Sequence, residues 1–297
     1  MLEFTFLTKK QVTGIRQIDI LKKYGRKCAI TDFAILLGGF ASDSHTVDYS
    51  FYRNRTGIWW TQTCNSKNDY AVYTNGACSV RDIESWYIGA RPVTTYSEIL
   101  KYSPYQSGVI NDLKQIYCGE YPQWVVDEVY SVDLEVAYKN GKMIETGKYY
   151  TANNDVTRLR NHFVERKYPE YKYYGKKYIR LIANPAFDNT ALSDGRVVKS
   201  QEVCWISVEP IIWLVDEKND VVLSKYILFS GLPLKYSTNT SSDFTKSDIK
   251  KFMDECFSKE IIEQSRRYKV SEIDSLFEGV VREMNELNNN SKIKVLK

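Results

Sequence analysis

Residues 55–63 read RTGIWWTQT, residues 69–76 read DYAVYTNG, and residues 87–97 read YIGARPVTTYS. The first run sets Trp59 and Trp60 side by side among Ile and Thr, the composition of a strand. Asn, Ser, Lys and Gly separate the three runs, and strands joined by such short turns pair antiparallel. This stretch decides the first third of the chain: a small antiparallel sheet with an aromatic core. Side chains alternate across a pleat. Of Trp59 and Trp60, one is therefore expected in the core and the other at the surface or against the second half.

Upstream, MLEFTFLTKKQV alternates apolar and polar residues and lacks the charged start, apolar centre and cleavage site of a secretory signal, which leads to the expectation of a cytoplasmic protein. The basic turn and Gly25 that close residues 9–25 predict a short helix over 18–24. CAITDFAILLGGF, 28–40, reads as a buried segment closed by Gly38-Gly39, and 43–55 as a polar loop.

Downstream, 98–118 is the expected linker between an amino-terminal unit, 1–97, and a second β-rich unit, 119–240. In the second unit, residues 119–151 read as a run of strands whose strongest hairpin signal is Asn140-Gly141. A polar insertion over about 153–168 leads to a strand pair around Gly175. Residues 202–231 give two long strands joined by a turn at 217–220. The last segment, 241–297, turns helical. Ser247 caps a helix carrying Ile249, Phe252, Met253, Cys256, Phe257 and Ile261, and Ser271 caps a second with Ile273, Leu276, Phe277, Val280, Val281, Met284 and Leu287 on one stripe. The fold class expected is α+β, mainly antiparallel β, with two β units and a carboxy-terminal helical pair.

Bulk properties agree. At 297 residues, two domains are the default. The 23 Tyr, 12 Phe and 6 Trp favour strands and exclude a disordered chain. Lys and Arg number 41 against 37 Asp and Glu, and a net +4 spread along the chain gives no support to phosphate-driven nucleic-acid binding. No run approaches the ~18 apolar residues of a membrane span.

The order Trp59-Trp60, YAVYTNG and Gly89-Ala90-Arg91-Pro92-Val93 resembles the closing motif of bacterial C-type-lectin-like domains, a group that includes formylglycine-generating enzymes, major paralogous domains and the variable proteins of diversity-generating retroelements. The resemblance implies an aromatic strand packed into a loop-rich core and Arg91 held against backbone carbonyls or a carboxylate. The second half resembles a bacterial domain of unknown function common in Firmicutes, through GEYPQ at 119–123, Pro210, Ile211, Trp213 and Val215, LSKYIL at 223–228 and SDIKKFM at 247–253. There the Trp and Arg-Pro strands come last, and here they come first. A permuted single domain and two incomplete lectin-like units packed together both fit, and the second is preferred.

Motifs that carry chemistry are few. His45 and His162 lie in polar segments far apart, with no nucleophile motif beside them. No P-loop, dinucleotide glycine pattern or G-x-S-x-G occurs, and the six cysteines show no metal-ligand spacing, so no metal or cofactor is expected. Cys64 and Cys78 flank a hairpin and bear on an alternative function, an oxidase of the formylglycine-generating type or a hydrolase outside the known motifs; six buried, reduced thiols are the plainer reading. Calcium-dependent sugar binding lacks its Asn after Pro210.

Recognition is the leading expectation. Residues 42–55, with His45, Tyr49, Tyr52, Arg53 and Arg55, and residues 64–70, with Asn68 and Tyr70, have the Tyr, Ser, Asn and Arg composition of adaptable contact loops. One of Trp59 and Trp60 joins them if it reaches the surface. In 165–180, Tyr171, Lys172, Tyr173 and Lys176 interleave rings and cations, which suits either a stacking surface or a half-buried strand with a lysine-protected edge. Arg91, Pro92, Pro210 and Trp213 are structural. The sequence is thus read as a non-enzymatic recognition protein with a macromolecular protein partner. By the resemblance it extends to phage–host conflict, as an inhibitor of a bacterial immune effector of anti-CRISPR or anti-defence type. Nucleic acid remains an open second partner, and nothing sets the oligomeric state.

Overall fold

The computed structural model describes residues 2–46, 55–62, 68–102, 106–110, 113–153, 162–187 and 190–263. It opens with three short helices, α1 (Lys9–Thr13), α2 (Asp19–Tyr24) and α3 (Asp32–Leu36). Then come β1 (Ala41–Thr46), β2 (Arg55–Gly57), β3 (Trp59–Trp60), β4 (Asn68–Val72), β5 (Cys78–Asp82), β6 (Val93–Thr94) and α4 (Tyr96–Ile99). The second half runs β7 (Gln106–Ile110), β8 (Leu113–Val125), α5 (Glu128–Lys139), β9 (Ile144–Asn153), β10 (Glu165–Tyr173), β11 (Lys176–Ile182), β12 (Val203–Asp216) and β13 (Val221–Ser224). It closes with α6 (Asp248–Phe252), a π-helical turn (Met253–Phe257) and α7 (Ser258–Glu263). Strand residues outnumber helical ones, 39% to 23%, and every strand-to-strand ladder is antiparallel.

Eight strands form one sheet in the order β6-β13-β12-β11-β10-β9, with β8 on β12 and β7 on β8. The aromatic stretch makes a separate three-stranded sheet, β3-β4-β5, with Trp59 opposite Val72 and Trp60 opposite Ala71. Three prolines, Pro122, Pro169 and Pro210, sit inside long strands, which a regular ladder resists because proline has no N–H to donate, and the β9–β10 register shifts between Pro169 and Tyr171. The β8–β12 register shifts at Ser207/Val208, beside Pro122, and again between Pro210 and Ile212. There the Gln123 amide donates to the carbonyls of Glu209 and Pro210, at 2.9 and 3.0 Å.

One apolar cluster runs from Leu2 to Ile261 and draws on both halves of the sequence. Phe4 stacks on Trp213 at 5.4 Å, and Tyr121 meets Phe33, Tyr150, Phe229 and Phe257. β6 closes the edge of the large sheet against β13, and Ala90 bridges Phe229. Sequence distance and spatial proximity part company here: the segment expected as a linker, 98–118, carries the last two residues of α4, all of β7 and the first six residues of β8. Gly119, at φ 71°, explains the start of the GEYPQ run. A Cβ built there would lie 2.3 Å from Cγ2 of Ile261, so α7 packs directly on its backbone.

The region read as continuous strands contains a helix, α5, and Asn140-Gly141 is its end rather than a hairpin turn. Tyr130, Val132, Leu134, Val136 and Tyr138 alternate like a strand. What decides the structure is the cap, since the Asp127 carboxylate accepts from the Tyr130 N–H at 2.9 Å. At the other end Gly141, at φ 64°, lets Lys142 N–H reach the Ala137 carbonyl at 2.9 Å. α5 buries Leu134 and Ala137 on the face of the sheet away from the main core, over a small cluster of Val126, Tyr178 and Trp205. The expected turn at 217–220, the strand pair around Gly175 and the Ser247 cap are all found. The second carboxy-terminal helix, from Ser271, lies outside the described residues.

Candidate functional site

The β10–β11 hairpin is the best-defined of the expected contact regions. Tyr171 faces Tyr178 and Tyr173 faces Lys176 across the ladder, leaving Tyr174 and Gly175 as a two-residue turn. Both turn residues have positive φ, 45° and 79°. That geometry belongs to Asn and Gly, and a tyrosine in it is strained. Tyr174 is 84% exposed, its ring lies 4.4 Å from that of Tyr173, and Lys172 and Lys176 are exposed on either side. A hydrogen bond with Tyr174 pushes the Tyr173 hydroxyl up.

Behind this tip the other tyrosines do structural work. Tyr171 packs on Tyr138 and Trp205 at 5.3 and 6.1 Å, and burial, with Tyr138 beside it, pushes its hydroxyl up to about 12. Arg180 grips Glu135 of α5 through two hydrogen bonds of 3.0 Å, and Trp205 Nε1 donates to the same carboxylate. Those contacts, the arginine's first, hold the Glu135 carboxyl below its usual range. The hairpin tip is therefore borne on a fixed base.

The amino-terminal contact residues divide. Tyr49, Tyr52 and Arg53 lie outside the described residues, as does Cys64. His45 Nδ1 lies 3.1 Å from Ser42 Oγ and 3.3 Å from Thr74 Oγ1, while its N–H donates to Ser42 Oγ. Thr56 ties the same corner together, donating to the carbonyls of His45 and Thr74. Arg55 Nη1 donates to the Ala191 carbonyl at 2.5 Å. Asn68 is exposed, and Tyr70 carries the Lys9 ammonium 3.6 Å over its ring. This corner and the hairpin belong to different sheets.

Trp59 and Trp60 correct the expectation made for them. Both are fully buried, so neither offers a contact surface. Trp59 donates through Nε1 to the Arg26 carbonyl and lies 5.2 Å from the Arg91 guanidinium, while the Trp60 edge meets Gly89 on one side and Ala71 on the other. Arg91, 2% exposed, donates through Nε to the Ser224 carbonyl at 2.9 Å. Pro92 offers its carbonyl to Ser224 N–H, and Trp213 Nε1 donates to the Cys118 carbonyl.

Burial pushes every described thiol upward: Cys28 and Cys256 to about 11, Cys118 and Cys204 to about 12, and Cys78 in the same direction. These environments disfavour thiolate, the reactive form. His162 is exposed on the approach to β10. Among the described residues no group of three or more His, Cys, Asp or Glu is placed to hold a metal ion, and no helix is long and apolar enough to cross a membrane. Two features escaped the sequence reading: Glu260, a carboxyl buried at the heart of the core, and a row of outward-facing valines on α5. No family model, curated protein or solved structure matches the chain.

Proposed function

We propose that the chain is a non-enzymatic, cytoplasmic recognition protein of lectin-like architecture that binds a protein partner through the tip of the β10–β11 hairpin. The observation that carries this reading is Tyr174. A bulky residue held at positive φ costs on the order of 1 kcal/mol. Its ring leans on that of Tyr173 but stays turned to solvent, so burial within the chain does not offset the strain. A displayed ring, backed by Tyr173 and flanked by two cations, suits an acidic protein surface with an apolar centre. The high thiols count against the oxidase or hydrolase alternative, and an immune effector in phage–host conflict is one partner of the required kind.

Affinity capture from extracts of the source cell tests this, using the full chain, Tyr174→Asn and the double variant Lys172→Glu/Lys176→Glu. The expected result is a stoichiometric protein held by the wild type and lost by both variants, with unfolding midpoints no lower than wild type for Tyr174→Asn. Absence of such a partner, equal retention by the variants, or retention abolished by nuclease treatment of the extract overturns the proposal.

A further inference from the structure

Val129, Val132 and Val136 are 77%, 60% and 52% exposed on the outer face of α5, away from the Leu134 and Ala137 face that packs on the sheet. Their spacing of three and four is the seam of a paired helix. At about 100° per residue, Glu128 and Lys139 fall on one flank of the stripe and Asp133 on the other. Glu128 and Asp133 are exposed, and the Lys139 side chain is 69% exposed, 3.4 Å from Glu135.

We propose that this stripe is a self-association surface, on which a second copy of the chain lays its own α5 antiparallel across a two-fold axis near Val132. Val129 then faces the partner's Val136, and Val132 faces the partner's Val132. Charge selects this occupant and this direction. Glu128, at one end of the flank, meets the partner's Lys139 at the other, and symmetry makes the contact twice. A parallel pair would set Glu128 beside the partner's Asp133, which lies on the other flank, and align the two helix dipoles unfavourably. Two like-charge approaches remain in the antiparallel pair: Asp133 against the partner's Asp133 at the axis, and Glu128 near the partner's Glu135, whose carboxylate is already held by Arg180. A helix of 12 residues is only about 18 Å long. Its area places the contact among small, reversible interfaces, with Kd on the order of tens of micromolar.

Sedimentation equilibrium of the full chain up to about 500 μM reads this directly, because dimer fraction follows mass action. The wild type should fit a monomer–dimer equilibrium. Val132→Glu should be monomeric throughout, with an unchanged unfolding midpoint because the side chain is already exposed. Glu128→Lys should weaken the dimer about tenfold. Adding Lys139→Glu to it should restore affinity, and Asp133→Asn should tighten it. A wild type that stays monomeric overturns the proposal. So does a dimer that Val132→Glu leaves intact, or one in which the double charge swap fails to recover what Glu128→Lys loses.

Discussion

Replacing Glu260 with Gln should remove a pH-dependent loss of stability that this carboxyl imposes. Glu260 is 6% exposed, and its Oε1 accepts from the Thr151 N–H at 2.7 Å, tying α7 to β9. Oε2 is buried without a partner, and so is the hydroxyl of Tyr121. Burial is the largest influence and Glu165 adds to it. Against them stand the Thr151 hydrogen bonds and the Lys167 ammonium, and the balance pushes the carboxyl from 4.5 up to about 7. Because the folded value lies above the unfolded one, the folded chain holds the extra proton between about 4.5 and 7. Stability is therefore fully present below the unfolded value, falls as pH rises through the folded value, and is flat above it. At 1.36 kcal/mol per pH unit the interval corresponds to about 3 kcal/mol. Gln keeps the acceptor for Thr151 and carries no charge. Urea unfolding followed by tryptophan fluorescence at pH 4, 5.5 and 8.5 should show the variant matching wild type at the acid end and exceeding it by about 1–3 kcal/mol at the alkaline end. Every other ionisable group is common to the two proteins, so the difference isolates Glu260. Parallel pH profiles for wild type and variant would refute the argument.

Burial lowers the Lys225 ammonium to about 8, so its charged form weakens the fold at neutral pH, and Lys225→Met should raise the unfolding free energy at pH 7 by on the order of 1–3 kcal/mol. Trp59→Ala and Trp60→Ala should each cost about 3–5 kcal/mol, the scale of a large aromatic lost from a packed interior; comparable urea midpoints for the two check that the strand is covered on both faces. Arg91→Ala frees the Ser224 carbonyl and uncovers Trp59, and a loss of about 1–3 kcal/mol is expected in the same assay.

Where local pattern and tertiary packing agreed, the sequence was readable. Leu2, Phe4 and Phe6 alternate with polar residues and are buried as that alternation requires. The 203–224 strand pair and the Ser247 cap follow from apolar runs punctuated by turn and cap residues. One of Trp59 and Trp60 was expected outside the core because alternation names two faces without saying whether both are covered. In a sheet of three short strands, cover comes from distant segments: the Gln62 N–H donates to the Leu7 carbonyl, and Gly89 bridges Trp59. The boundary between halves was illegible for the same reason, since Val93 pairs with Leu223 across more than a hundred residues and no local signal encodes such a ladder.

α5 and Tyr174 share a cause that bears on function. In both, one local rule was obeyed and another broken. Tyr130, Val132, Leu134, Val136 and Tyr138 alternate as a strand should, yet the Asp127 cap and the apolar grip of Tyr130, Leu134 and Ala137 wind the segment into a helix, which turns Val129, Val132 and Val136 outward. A valine is a poor choice for an exposed helical position: its branched side chain loses rotamer freedom there and gains no burial. The hairpin turn takes glycine at its second residue, as the geometry demands, and tyrosine at its first, where Asn would fit without strain. Neither choice lowers the free energy of the isolated chain. Residues that oppose local stability and face solvent are best explained by contacts made outside the chain. That argument ties both surfaces to the same test: stabilising replacements, Tyr174→Asn at the turn and Ala at the three valines, should each give a chain as stable as wild type or more so while abolishing one association and leaving the other untouched.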